Sequence, residues 1–77
     1  GPTNPNYATS VNNVGTAFFK MKRFDEAVLR YEEALPIYRK VLGDKHPLTN
    51  QCMQDLQLAR EGLNNPSNAE INKLVSD

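Results

Sequence analysis

The sequence has one cysteine, Cys52, so no disulfide can staple the chain from within, and that usage fits a reducing compartment. It has no excess of either charge. Nine basic and nine acidic residues cancel, which removes any global field toward nucleic acid or an anionic membrane, and neither partner is expected. No apolar run approaches the length of a membrane span or a signal-peptide core, so a soluble, cytoplasmic setting is expected. A lone histidine and a lone cysteine cannot supply the ligand set of a metal site, and no cofactor is implied. His46, Cys52 and Asp55 are the only candidates for a nucleophile and base. Six residues separate His46 from Cys52, which puts them on different sides of a helical rod, so no catalysis is expected. The chain is also short of core: 77 residues make at most one small domain, and domains of that size are marginal without a staple, a metal or a partner copy.

The centre of the chain is the stretch Val11 to Ala34. Val11, Val14, Phe18 and Met21 step by three or four residues, and Ala27, Val28, Tyr31, Ala34 and Leu35 do the same. Each set defines one face of an α-helix. The connection Lys22-Arg23-Phe24-Asp25 leaves room only for a sharp reversal, so the two apolar faces are expected to meet. Gly15 and Ala27 are small enough to let the helix backbones approach where they cross, with Phe18 and Tyr31 filling the remaining space.

Asn4-Pro5 opens the first helix. Asn is a strong N-cap, and Pro at the first helical position loses no hydrogen bond, because its missing N–H would have had no partner. This helix is expected to run to about Lys20. In the second, Asp25 and Glu26 stand in the first turn and Arg39 and Lys40 in the last, each matched to the helix dipole. Pro36 opposes helix in mid-element, yet the apolar period continues through Tyr38, Val41 and Leu42, which predicts a kink rather than a break. Gly43 suits a left-handed C′ position. Residues 1–3, beginning Gly1-Pro2, resemble the remnant of tag cleavage and are set aside.

His46-Pro47 then restarts the pattern. Pro5 pairs with Pro47 at an offset of 42 residues, which also pairs Val11 with Met53, Val14 with Leu56, Ala17 with Ala59 and Met21 with Leu63. The second copy is degenerate: Gln57 stands for Gly15 and Arg60 for Phe18, as suits the end of a repeat array where one face meets water. Gly62, Asn64, Asn65 and Pro66 are expected to stop this third helix. The expected organisation is a hairpin over 4–43, a third helix within 44–65 and a tail over 66–77, disordered or docking through Ile71, Leu74 and Val75.

Val11, Val14, Gly15, Phe18, Ala27, Tyr31 and Ala34 fall at the spacing of the tetratricopeptide repeat, and over residues 4–64 the chain resembles that family. The closing proline of the repeat is missing. The segments NPNYATSVNNVG and EEALPIYRKVLGDKHP resemble the longer repeats of kinesin light chains and nephrocystin-like proteins. The resemblance implies an all-α fragment of an α-solenoid: an antiparallel helix-turn-helix plus a third, capping helix. It also implies a scaffold for protein–protein interaction, in which the first helix of each pair lines a concave surface. By that resemblance Thr9, Asn12, Asn13, Thr16, Phe19 and Lys20 lie nearest the surface, and Gln51, Gln54 and Asp55 repeat the first three positions. Asn and Gln amides donate and accept, as capture of an extended peptide requires, and Phe19 adds an apolar contact.

The turn cluster Lys20, Lys22 and Arg23 lies beside Phe18, Phe19 and Phe24 without a wider basic stripe, so it reads as a solvated turn over core aromatics. The alternative function is self-association into a dimer or larger assembly, one form of which exchanges the third helix between chains. A piece of an array leaves apolar faces uncovered, here Tyr7 and part of the Val14–Phe18 side. Tyr38, Val41 and Leu42 are expected to lie beyond the reach of the first helix.

Overall fold

The computed structural model of the chain describes residues 4–64. Among them the order is α1 (Pro5–Lys20), α2 (Phe24–Leu42) and α3 (Pro47–Asn64), all α-helix. The readings for residues 1–3, for Asn65 and Pro66 as stop signals, and for the tail over 66–77 lie outside the described residues.

α1 begins as its sequence dictates. Asn4 is the N-cap, its side-chain oxygen accepts from the Asn6 amide at 2.7 Å, and Pro5 takes the first helical position. Its C-terminus closes with a Schellman motif: the Arg23 amide donates to the Phe18 carbonyl and the Lys22 amide to the Phe19 carbonyl, both at 2.9 Å. The left-handed residue of this motif is Lys22, at φ 61°. The reversal therefore occupies Met21 to Arg23 alone, and Phe24 and Asp25, read as part of the turn, already belong to α2.

α2 runs without interruption through Pro36, which is exposed. It stops at Gly43, whose φ of 93° and ψ of 160° lie in a region open essentially to glycine alone. The Gly43 amide donates to the Arg39 carbonyl at 3.1 Å. The His46 carbonyl then accepts from Asn50, and the His46 Nδ1 accepts from the Leu48 amide at 3.1 Å, so the histidine caps α3.

α2 is the middle layer, packed on α1 along one side and α3 along the other, while α1 and α3 barely touch. Its buried residues Ala27, Val28, Tyr31, Ala34, Leu35 and Tyr38 form the spine of the core. On α1 the face that meets them is Ala8, Val11 and Gly15, with Phe18 and Phe19 packed beside it. This corrects the expected face, because Val14 and Met21 are 46% and 55% exposed. Gly15 sets the rotation. A Cβ there would stand 3.0 Å from the Cβ of Arg30 and from Cε1 of Tyr31, so this is the side on which the backbones come closest.

One further expectation is overturned. Tyr38 is fully buried, and its hydroxyl lies 2.7 Å from Oγ1 of Thr9: with the helices antiparallel, the start of α1 reaches the far half of α2. α3 continues to Asn64, within the expected 44–65, and Gly62 lies inside its last turn. The Phe24 ring covers it, with ring carbons 2.7 Å from where a Cβ would be. Phe24 in turn meets Phe19 edge to face at 5.3 Å, so one aromatic pair joins α1, the start of α2 and the end of α3.

Candidate functional site

The α1 residues expected to face a partner lie one step round the helix from the side that packs on α2. Two of them are spoken for. Thr9 and Thr16 are half-buried, and their hydroxyls bond to those of Tyr38 at 2.7 Å and Tyr31 at 3.0 Å. Thr16 also donates to the Asn12 carbonyl at 3.1 Å, or shares its proton between the two acceptors. Phe19 is held in its aromatic pair and packs against the core. Asn12 is half-buried with its Oδ1 enclosed and unpartnered, while Asn13 and Lys20 are exposed. On α3, Gln51 donates to the half-buried Asp55 carboxylate at 3.0 Å, and Gln54 is exposed beside Gln57, Leu58 and Glu61 along a shallow groove. Asn13, Lys20 and Gln54 thus keep free, solvent-facing polar groups; the threonines and Phe19 hold the hairpin together.

The three residues weighed for catalysis do not form a site. His46 is a cap, and Cys52 is fully buried, its Sγ 3.7 Å from the Tyr31 carbonyl. Burial, then the Asp55 carboxylate, push the Cys52 thiol up to about 11, opposite to what a nucleophile needs. Burial likewise raises the Tyr31 phenol above its ordinary range. At the basic turn, Arg23 stacks over the Phe18 ring at 5.2 Å and pairs with Glu26, while Lys20 and Lys22 face solvent.

The outer side of the hairpin, where the self-association reading leaves Tyr7 and part of the Val14–Phe18 side uncovered, is exposed. Tyr7, Val14, Met21 and Leu29 are 42%, 46%, 55% and 58% exposed. Val14, Phe18 and Leu29 line a groove between α1 and α2, with Glu26 and Arg30 at its edge. The Tyr7 hydroxyl donates to Glu33, which also receives Arg30 at 3.1 Å. The sequence signal for this face is the spacing of Tyr7, Val14 and Met21 at sevens, of which Val14 and Met21 also fit the stripe expected to pack inward. Among the described residues, no helix is long and apolar enough to cross a membrane.

Residues 8–48 match the tetratricopeptide repeat, and the match is consistent with the long repeat type seen in kinesin light chains. The chain is 33% identical over 58 residues to the RxLR effector protein SFI4 of Phytophthora infestans (strain T30-4), a match covering 71% of this chain and 17% of that protein. It therefore spans well under two thirds of the relative it matches. No solved structure matches it.

Proposed function

The chain belongs to the tetratricopeptide repeat family, whose members are non-catalytic scaffolds for protein–protein interaction, and from that premise we propose that it presents a polar, amide-rich helix side to an extended peptide of a partner protein. The observation that carries this reading is the freedom of Asn13, Lys20 and Gln54 beside residues that are structurally tied. At the 42-residue offset Gln54 repeats Asn12 and Asp55 repeats Asn13, so polar acceptor groups recur at matching positions on α1 and α3. The likeness to a protein named as an effector is in keeping with a role directed at a partner. The unpaired, buried thiol suits a cytoplasmic setting. A displayed peptide library panned against the chain tests the reading. Selected peptides should shift the amide side-chain resonances of Asn13 and Gln54, and Asn13→Ala with Gln54→Ala should weaken them at least roughly tenfold, the loss of one or two hydrogen bonds. Peptides that bind the double variant as well as the parent chain would overturn it.

A second reading, self-association, is favoured by the exposed hydrophobics Tyr7, Val14, Met21 and Leu29 gathered on one side of the hairpin. Light scattering against concentration tests it: the mass should rise above 8.7 kDa, and a constant mass would reject it.

A further inference from the structure

We propose that a second copy of this chain covers the outer face of α1, the two α1 helices packing antiparallel about a two-fold axis close to Val14. This rests on the self-association reading and gives it a surface, an orientation and an axis.

The internal repeat shows what kind of surface this is. At the 42-residue offset, Tyr7, Ser10, Val14 and Ala17 correspond to Thr49, Cys52, Leu56 and Ala59. The α3 set is covered by α2 and is at most 5% exposed. The α1 set alternates large and small residues in the same way, and Tyr7, Ser10, Val14 and Ala17 are all exposed. A stripe whose duplicate lies beneath a helix is shaped to receive a helix: small residues admit its backbone and large ones flank it.

The occupant follows from charge. The stripe carries none, so a second copy meets no like charge along it. At one end, around Met21, stand the exposed Lys20 and Lys22, with Arg23 paired to Glu26; at the other, Tyr7 touches the Glu33 carboxylate, which also holds Arg30. A parallel pair would set the two basic turns side by side. An antiparallel pair sets each beside the partner copy's Glu33 and aligns the helix dipoles favourably. Tyr7 then faces Met21 of the other copy, and Val14 faces itself. The groove beside Val14 is also lined by Glu26 and Arg30, each paired within its own chain, with Arg23 and Glu33, so a copy laid over it buries no unpaired charge there. The other open side, on α3, is poorer for the purpose: Asn50, Gln57 and Arg60 stand there in place of Ala8, Gly15 and Phe18, and Arg60 is engaged with Glu32 at 2.7 Å.

Cysteine cross-linking in the full chain tests the geometry, since the native Cys52 is buried and does not compete. Light scattering should show the mass moving from 8.7 kDa toward twice that value on concentrating, with Val14→Glu held at one chain and its helical signal intact. Under mild oxidation Val14→Cys should link to itself. Tyr7→Cys should link to Met21→Cys in a mixture but not to another Tyr7→Cys chain, and Leu58→Cys, exposed on α3, should link slowly. A mass fixed at one chain overturns both this proposal and the self-association reading. A doubled mass with Leu58→Cys linking fastest, or Tyr7→Cys linking to itself, overturns this interface and leaves self-association standing.

Discussion

Gly15 of α1 lies against Tyr31 of α2 so closely that a Cβ on the glycine would stand 3.0 Å from the tyrosine's Cε1. The Cβ of Arg30 is equally near, so the added atom meets a backbone-proximal carbon as well as a ring. Gly15→Leu is therefore expected to lower stability by about 1–3 kcal/mol, the usual cost of overpacking. Gly15→Ala should do much less, because it recovers about 1 kcal/mol of helix propensity against a milder clash. Urea midpoints followed by circular dichroism separate the two. A Leu variant as stable as the parent would mean that the helices do not cross here.

Thr16→Val should cost about 1 kcal/mol although it changes almost no volume, because it removes the hydroxyl partner of the buried Tyr31. Thr9→Val should behave alike through Tyr38. If the threonines served only a partner, both variants would melt like the parent and lose peptide binding instead.

These threonines also show where the sequence stopped being legible. The caps, the hairpin, the third helix and the α2 face follow from local chemistry: Asn4-Pro5, the acidic start of α2, Gly43 and the spacing of Ala27, Tyr31 and Ala34. The partners of Thr9 and Thr16 lie 29 and 15 residues away, and no local pattern announces them. The α1 stripe was read as one face because a spacing of three and four is compatible with two adjacent faces. Only the close approach at Gly15 decides that Val11 points inward and Val14 outward. Gly62 reads as a stop by composition, and it takes the ring of Phe24, on another element, to explain a glycine inside a helix.

Stability should fall on the alkaline side. The Cys52 thiol is raised from 9.0 to about 11 and the Tyr31 phenol is raised above 10.0, each chiefly by burial. Each group therefore holds its proton more tightly in the fold than in the unfolded chain. Its contribution is complete below the unfolded value and is lost as pH climbs through the folded one. Denaturation midpoints should decline from about pH 9 upward, and Cys52→Ala should flatten the first part of that decline, its own cost in packing being constant with pH. Iodoacetamide at pH 8 should label Cys52 only when urea unfolds the chain.

Lys22→Gly should stabilise the hairpin. Lys22 holds φ 61° at the position of the α1 Schellman motif that most often carries glycine. The left-handed conformation costs an ordinary residue about 1–2 kcal/mol, and glycine returns part of that as extra freedom in the unfolded chain. A net gain of up to about 1 kcal/mol is expected, with helix content unchanged. Because Lys22 faces solvent, no contact is lost that could offset it. A less stable variant would show that the turn is not left-handed at this residue.

Gly62→Ala should destabilise the chain although it replaces glycine with the best helix former. The new Cβ would fall 2.7 Å from carbons of the Phe24 ring, closer than packed atoms tolerate, so the ring must leave its seat or α3 must shift. Either movement disturbs the edge-to-face pair with Phe19, so the penalty reaches α1 as well. The expected loss is about 1–3 kcal/mol, less about 1 kcal/mol of regained propensity. Phe24→Leu alone should also destabilise, by loss of the aromatic pair. Combined with Gly62→Ala it should cost less than the sum, because the smaller side chain vacates the space that the methyl needs. A double-mutant cycle on urea midpoints reads that coupling directly, and contacts of this kind give interaction energies of about 0.5–3 kcal/mol. Strict additivity would show that the end of α3 does not rest on Phe24, and the helix would then be held to α2 by Thr49, Cys52, Leu56, Ala59 and the Arg60–Glu32 pair.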